Sequence, residues 1–380
     1  MSELASYSIQ AVFFALVAVV VVSRSKKTDL YQFALISVWL IGVIAIFARY
    51  GENQVLFYSN DQLFHQQVID HYLPVDGIQL NAVIGLRYLL TVPVYLISLL
   101  GFNAMLVIKF FQLCALLLIF ARAKALAKRY GFRTIYLQIP LFAGPLPIFM
   151  SLISLRDVIL AYLTLISIFP TNPKLRIVSV VATGLLRPHL AVAVIFGFIF
   201  EALYRQIHTR FQTILSTLFL ILSYFVGAIG FALGNFATNG GMLNFPATIF
   251  SIEYISRLAL NIVGLQFLVL DGNTGGVVAS STVFLLISRL LFIETFLVPS
   301  VFFILFLRQS YILKKESLQV GAAMFFFLGL VFQNTVSTNS TRQNLPFITV
   351  MGVIVVIRIF HDRVIRTQKY SLAKIEVPTA

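Results

Sequence analysis

Long apolar runs separated by short polar segments dominate the hydrophobicity pattern of this chain. The runs lack the alternation of a half-buried strand, and many approach the roughly 20 residues that a helix needs to cross a bilayer. They centre on 7–22, 30–48, 83–100, 104–120, 134–150, 158–169, 177–186, 190–202, 211–233, 282–307, 318–332 and 346–359. Because only helices and closed barrels satisfy the backbone there, the pattern predicts an all-α, polytopic integral membrane protein with about ten to twelve transmembrane or re-entrant helices.

The polar segments read as loops of one transmembrane domain that covers residues 1–380. They are an outer loop at 49–80, a second outer loop at 235–280 and a basic cytoplasmic tail at 361–380. The apolar runs on either side of Arg187–His189 are short, which indicates spans that are broken or paired at a polar elbow. The pattern contains no internal repeat and no soluble domain.

Charge composition changes the class of partner that the sequence predicts. The chain is 59% hydrophobic and 11% charged, with a net charge of +14 and a mean hydropathy of +0.93. In a soluble protein this net charge suggests a nucleic-acid partner, but in a membrane protein Lys and Arg collect in cytoplasmic loops. We therefore predict a bilayer partner, no nucleic acid, and a multi-pass location in a membrane. The single cysteine, Cys114, argues against a disulfide framework or a thiolate metal cluster.

The basic loops predict which helix ends face the cytoplasm. Most of the 28 Lys and Arg residues fall in 23–29, 122–133, 174–176, 205–210, 308–315 and 358–374. Placing these loops inside puts the N-terminus outside and brings Arg156, Asp157, Arg187, His189 and Arg342 to the outer face. Eight cations are not explained by topology: Arg49, Arg87, Lys109, Arg156, Arg187, Arg257, Arg289 and Arg342.

The first third of the chain conflicts with this alternation. If Asp61 is outside and Arg122 inside, an odd number of crossings must separate them, but the pattern gives two runs. Either the 83–100 run is re-entrant, or the loop after Asp61 dips into the membrane, or the Arg122 loop breaks the charge rule. The sequence leaves these three alternatives open.

The stretch Arg49–Asp76 concentrates ionisable groups between two apolar runs. It holds Asp61, His65, Asp70, His71 and Asp76. Ionisable groups held among membrane spans are functional candidates, because they are costly unless solvated or paired. Asp61 lies where a lipid-linked headgroup would sit, so its carboxylate is a candidate general base for a sugar hydroxyl. The alternative for Asp61 is a solvated loop residue or a helix N-cap. His65 is a candidate for substrate binding. The spacing of the His and Asp residues matches no strong metal site.

Arg156 and Asp157 open a short apolar run in the sequence LRDVILAYL. An adjacent pair of opposite charges is typical of a capped helix end, where an aspartate near the N-terminus is favourable. The functional alternative is that Arg156 grips a phosphate while Asp157 positions an acceptor or a divalent ion. Both interpretations stay open, and Asp157 is the second catalytic candidate.

Arg187, in LLRPHL, is an arginine between two apolar runs and must find an anionic or water-filled partner. Its guanidinium can bind a diphosphate bidentately and keeps its charge, which suits a diphosphate leaving group. His189 adds a titratable donor. The structural alternative is an ion pair between Arg187 and a buried carboxylate such as Glu294. Arg342 lies in a loop of hydroxyl and amide side chains, which either binds sugars or is an ordinary hydrophilic loop.

These features resemble bacterial polytopic enzymes that use polyprenyl-linked sugars: the GT-C glycosyltransferases and the Wzy-like and EpsG-like polysaccharide polymerases. The similarity lies in Asp61, Asp157 in LRDVILAYL, the RPHL segment Arg187–Leu190, and the late loop TRQNLPF with Arg342. The resemblance implies an acidic base at Asp61 and diphosphate-binding arginines at Arg187 and Arg342. The chain lacks the adjacent acidic pair and the C-terminal soluble domain of the GT-C pattern, which favours the polymerases.

We therefore hypothesise a multi-pass glycosyltransferase or polymerase of O-antigen or exopolysaccharide assembly in the bacterial inner (plasma) membrane. It would transfer a glycan from a polyprenyl diphosphate carrier to an acceptor sugar, with other assembly proteins such as a chain-length regulator as further partners. The carrier supplies the activated bond, so no cofactor is required, and the sequence does not separate a metal-assisted from a metal-free mechanism. The rival is a transporter or flippase for lipid-linked glycans, which the absence of a repeat disfavours. A membrane acyltransferase would need an acidic neighbour for His189, which the sequence does not show.

Overall fold

The computed structural model describes residues 2–24, 30–51, 85–129, 145–153, 156–207 and 345–353, with scattered positions between 211 and 256. Its helices are α1 (Glu3–Ser23), α2 (Leu30–Tyr50), α3 (Gly85–Ser98), α4 (Ala104–Arg129), α5 (Pro145–Ile153), α6 (Asp157–Ile168), α7 (Pro173–Leu186) and α8 (Pro188–Gln206). The described residues are 90% helical and contain no strand, which confirms the predicted all-α class. In this part of the chain, α1, α2 and α4 are long and apolar enough to cross a membrane.

Aromatic contacts fix the directions of the three long helices. Tyr7 of α1 stacks on Phe47 of α2 at 3.8 Å between ring centroids, so these two helices are antiparallel. Phe14 of α1 stacks on Phe110 of α4 at 4.6 Å, and Tyr31 of α2 stacks on Phe120 of α4 at 5.4 Å. Helix α4 therefore runs parallel to α1 and antiparallel to α2.

The turn before α4 lies at the same end of the bundle as the start of α1. The side chain of Gln10 donates to the Gly101 carbonyl at 3.3 Å and accepts from the Asn103 amide at 2.8 Å. The other end of α4 carries Lys128 and Arg129, and it lies beside the end of α1 that leads to Arg24. We call this second end the basic end, and the first the opposite end.

This direction removes one of the three alternatives for the first third of the chain. The Arg122 segment lies at the same end as Arg24, so it follows the charge rule instead of breaking it. Helix α3 precedes the turn at the opposite end and contains Pro93. Its described part, 14 residues, spans about 21 Å. A re-entrant α3 or a dip within 52–84 remains, and 52–84 lies outside the described residues.

Helix α6 packs against α4, α7 packs against α6, and α8 packs against α7. Successive helices from α6 to α8 run in opposite directions. The Val158 amide at the start of α6 donates to Gln112 Oε1 of α4 at 3.1 Å, and Arg122 of α4 donates to the Phe169 carbonyl at the end of α6. Ser167 donates to Ser179 at 3.0 Å, which sets α7 antiparallel to α6. Both hydroxyls are buried, so small side chains allow these helices to approach closely.

Helices α7 and α8 form a hairpin with Arg187 at its tip. The Arg176 guanidinium lies 4.6 Å from the ring centroid of Phe198, which pairs the far ends of the two helices. Asn172 caps α7 by accepting from the Leu175 amide at 2.7 Å, and Pro173 occupies the first helical position. The hairpin starts and ends at the basic end, where the sequence predicted the 174–176 and 205–210 loops.

The core joins the N-terminal helices to the C-terminal segment. Trp39, Phe120 and Leu106 are fully buried within one cluster, and the helical segment 345–353 belongs to the same cluster. All nine residues of that segment are buried. The predicted count of ten to twelve spans extends over residues outside the described ranges, so it stays a prediction.

Candidate functional site

Two interruptions of helical geometry lie close together inside the bundle. Arg156 leaves the helical region with φ −147° and ψ −9°, just before α6. Arg187 is extended, with φ −156° and ψ 89°, between α7 and α8. Pro188 explains the second break, because its ring disfavours the helical conformation of the preceding residue and it has no N–H to donate.

Both breaks lie below the opposite end of the bundle, with Arg187 buried and Arg156 half-buried. The start of α6 lies at the level of Gln112, which is about 12 Å along α4 from Ala104 at 1.5 Å per residue. Helix α6 has 12 residues and spans about 18 Å, so its N-terminus begins inside the bundle and its C-terminus reaches the basic end. The sequence placed Arg156, Asp157, Arg187 and His189 at the outer face. In the structure these residues are at helix ends that lie below the opposite end of the bundle.

Asp157 and Arg187 form an ion pair across the two breaks. Arg187 Nη2 lies 3.7 Å from Asp157 Oδ1, and the side chains are only 6% and 4% exposed. Removing one partner of such a buried pair costs about 3–5 kcal/mol, because the other charge is left in a low-dielectric site. The predicted alternative of a buried carboxylate partner for Arg187 is thus confirmed in kind, with Asp157 as the partner; Glu294 lies outside the described residues.

Asp157 and Arg156 each place their charge at a helix end where the macrodipole favours it. Asp157 lies in the first turn of α6, where the macrodipole favours an anion. Arg156 Nη1 donates to the Leu186 carbonyl at 3.3 Å, at the C-terminus of α7 where the dipole favours a cation. Arg156 and Asp157 therefore separate: one side chain turns to α7, and the other pairs with Arg187.

Gln112 contacts the start of α6, and Lys109 precedes it on α4; the sequence did not identify either as a site residue. They are one helical turn apart on α4, with exposures of 2% and 0%. Gln112 satisfies the Val158 amide, one of the donors that a helix N-terminus leaves unpaired. In the sequence, Lys109 is one of the cations that topology does not explain. Its spacing from Gln112, one helical turn, is the sequence feature that could have identified the two residues.

The described side chains of the cluster carry more positive than negative charge. Lys109, Arg156 and Arg187 are cations, and Asp157 is the carboxylate among them. We call these four residues, together with Gln112, the cationic cluster. A site of this composition inside apolar surroundings attracts an anion, and guanidinium groups bind phosphate oxygens in particular.

The other predicted site residues are not brought to the cluster by the described structure. Asp61, His65 and Arg342 lie outside the described residues, so their roles remain predictions. The backbone of His189 follows Pro188 in the first turn of α8, next to Arg187. Within the described ranges, no three His, Cys, Asp or Glu side chains are grouped to hold a metal ion.

Comparisons with known proteins assign no family to this geometry. No protein-family model, curated protein or solved structure matches the chain. The functional argument therefore depends on the cationic cluster and on the residues predicted from the sequence.

Proposed function

We propose that this protein is a membrane glycosyltransferase or polymerase of cell-surface polysaccharide assembly in the bacterial inner membrane. It transfers a glycan from a polyprenyl diphosphate carrier to an acceptor sugar on the outer face. The observation that supports this proposal is the cationic cluster, buried where two interrupted helices meet. A lipid-linked diphosphate is an anion that reaches such a depth, because its polyprenyl chain lies in the bilayer.

The reaction needs a base and a site that stabilises the leaving group. The acceptor hydroxyl oxygen attacks the anomeric carbon, and the bond from that carbon to the diphosphate oxygen breaks. The carrier departs as polyprenyl diphosphate with the bonding electrons, and the hydroxyl proton passes to a carboxylate, for which Asp61 is the candidate. Preorganised cations at the departing oxygens lower the barrier, which is the role proposed for Arg187 with Lys109.

The remaining predicted residues have supporting roles in this proposal. The Arg156 side chain reaches the C-terminus of α7 and adds to the positive surroundings of Arg187. Arg342 and His65 would contact the glycan or the diphosphate from the outer loops, and His189 is a further donor beside Arg187. The role of Asp157 follows from its ion pair with Arg187.

A transporter or flippase for lipid-linked glycans is the second candidate. Interrupted helices whose ends meet inside the membrane, as at Arg156 and Arg187, are common in transporter binding sites. A transporter needs the same anion site but breaks no glycosidic bond. The two proposals therefore differ in product, not in binding.

The test is a gel profile of surface polysaccharide and lipid-linked precursors in the source strain after deletion of the gene. We expect loss of long chains and accumulation of single lipid-linked units, restored by the wild type but not by Arg187→Gln. Arg205→Gln is the matched control, because Arg205 is an arginine ion-paired with Glu201 at the basic end. Complete units that accumulate on the inner side would support the transporter, and an unchanged profile would contradict both proposals.

A further inference from the structure

We infer that Asp157 is a positioning residue. It is the counter-ion of Arg187 in the absence of substrate, and the anionic group of the substrate displaces it from the guanidinium. The inference depends on the proposed function only for the identity of that anion, a lipid-linked diphosphate. It replaces the catalytic role that the sequence suggested for Asp157 with that of a displaceable counter-ion.

The geometry of the pair indicates a loose contact. Charge-assisted N–H···O bonds are about 2.7–2.9 Å long. The 3.7 Å between Arg187 Nη2 and Asp157 Oδ1 exceeds that length, so these two atoms attract each other without a direct hydrogen bond. A carboxylate at this distance compensates the guanidinium charge through electrostatic attraction.

Burial makes a resident counter-ion necessary. The Arg187 side chain is 6% exposed, so bulk water does not solvate its charge. An uncompensated charge at that depth is costly, and Asp157 at the start of α6 compensates it across the two helix breaks. Asp157 and Arg187 both lie at helix ends, so the backbone fixes the distance between their charged groups.

A diphosphate is a stronger partner for Arg187 than this carboxylate. It carries more negative charge, and its oxygens match the planar fork of the guanidinium. When it binds, Asp157 remains in the first turn of α6, where the helix macrodipole favours an anion. Asp157 therefore competes with the substrate for Arg187, and a change in its charge or reach alters substrate affinity in a defined direction.

Two substitutions at Asp157 separate this role from a purely structural one. Asp157→Asn removes the competing charge, so we expect tighter diphosphate binding, with a Kd lower by about tenfold. Asp157→Glu keeps the charge and adds one methylene, which closes the gap to Arg187, so we expect weaker binding. A purely structural role predicts weaker or unchanged binding in Asp157→Asn.

The experiment measures binding of farnesyl diphosphate to the purified full-length protein in nanodiscs by titration calorimetry. Farnesol, which lacks the anion, and inorganic diphosphate, which lacks the lipid, are the two comparison ligands. Glu201→Gln is the matched control, because Glu201 is also a carboxylate paired with an arginine but lies in the last turns of α8. We expect its Kd to equal that of the wild type.

Opposite shifts in the Asn and Glu variants support the inference, and weaker or unchanged binding in a folded Asp157→Asn overturns it. If Asp157→Asn does not fold, Asp157→Glu decides: weaker binding supports the inference, and equal or tighter binding overturns it. If neither diphosphate binds the wild type, the inference is also wrong. Two outcomes support the inference while the proposed function fails. In the first, the Kd of the two Asp157 variants shifts in opposite directions for inorganic diphosphate but not for farnesyl diphosphate. In the second, the Kd shifts in opposite directions but the protein transfers no glycan.

Discussion

At the residue scale, the cluster depends on how Pro188 shapes Arg187. The proline ends α7 at Leu186 and leaves Arg187 extended, so that its side chain faces Asp157 instead of continuing a helix surface. A charge that is costly in an apolar setting is thereby placed where a carboxylate and a helix N-terminus compensate it. The same features make the guanidinium available to a larger anion.

Arg187→Lys tests whether the planar guanidinium is needed. Lysine keeps the positive charge, so the ion pair with Asp157 and the fold are expected to persist. It loses the bidentate geometry for phosphate oxygens, so glycan transfer should fall by on the order of tenfold to a hundredfold. Initial rates of the purified variant measure this, with Arg205→Lys as the control; a full rate in Arg187→Lys would remove the arginine from the proposed mechanism.

The ion pair also predicts a non-additive effect on stability. Arg187→Gln alone should lower the free energy of unfolding by about 3–5 kcal/mol, because Asp157 is left buried without its partner. The double variant Arg187→Gln with Asp157→Asn should lose less than the sum of the single losses, by about 1–3 kcal/mol. Denaturation of the four proteins in detergent measures this coupling, and additive losses would show that the pair does not interact.

Sequence reasoning found Arg187, Arg156 and Asp157 because charges stand out in apolar runs. It did not find that Asp157 is the partner of Arg187, since the two residues meet only when α6 and α7 pack. Lys109 and Gln112 were missed for the same reason, because Gln112 meets the start of α6 only when α4 and α6 pack. The register between α4 and α6 makes them part of the site.

At the element scale, short helices that end inside the bundle are the feature that builds the site. The brief apolar runs on either side of Arg187 predicted a polar elbow, and the α7–α8 hairpin confirms it. The depth of the elbow could not be predicted, because it depends on the contacts of α6 with α4 and of α7 with α6. Close packing at the tip requires small side chains, and a Cβ at Gly184 would lie 3.3 Å from the Cβ of Ala191.

Gly184→Leu is expected to disturb the tip of the hairpin. The added side chain meets Ala191 of α8 and forces the two helices apart, at a cost of about 1–3 kcal/mol from overpacking. Arg187 then moves from Asp157, so transfer activity should fall together with the melting temperature. Val178→Leu, on the exposed face of α7, is the control; equal stability and activity in both variants would contradict the close packing.

At the scale of the whole molecule, basic residues collect at one end and the cluster lies toward the other. The sequence predicted this separation from its basic loops, and the directions of α1, α2, α4, α6, α7 and α8 agree with it. The sequence could not count the crossings before α3, because a short span and a re-entrant helix have the same hydrophobicity. Asp61 and Arg342, which complete the proposed site, lie in segments outside the described residues.

Cysteine labelling tests the two ends. In a Cys114→Ser background, Leu100→Cys lies in the exposed turn at the opposite end, and Lys174→Cys lies at the basic end. We expect a membrane-impermeant maleimide to label Leu100→Cys in spheroplasts, and Lys174→Cys only after the membrane is opened. Labelling of both from the same side would contradict the arrangement of α4 and α7.

The most direct test of glycan transfer at this site uses the purified protein in liposomes that contain a polyprenyl diphosphate-linked oligosaccharide. Mass spectrometry follows free polyprenyl diphosphate and the elongated glycan after addition of the wild type, Arg187→Gln or Arg205→Gln. We predict both products with the wild type and Arg205→Gln, with one polyprenyl diphosphate released for each glycosidic bond formed, and neither product with Arg187→Gln. Intact donor moved across the bilayer without release of polyprenyl diphosphate would contradict it and identify a transporter.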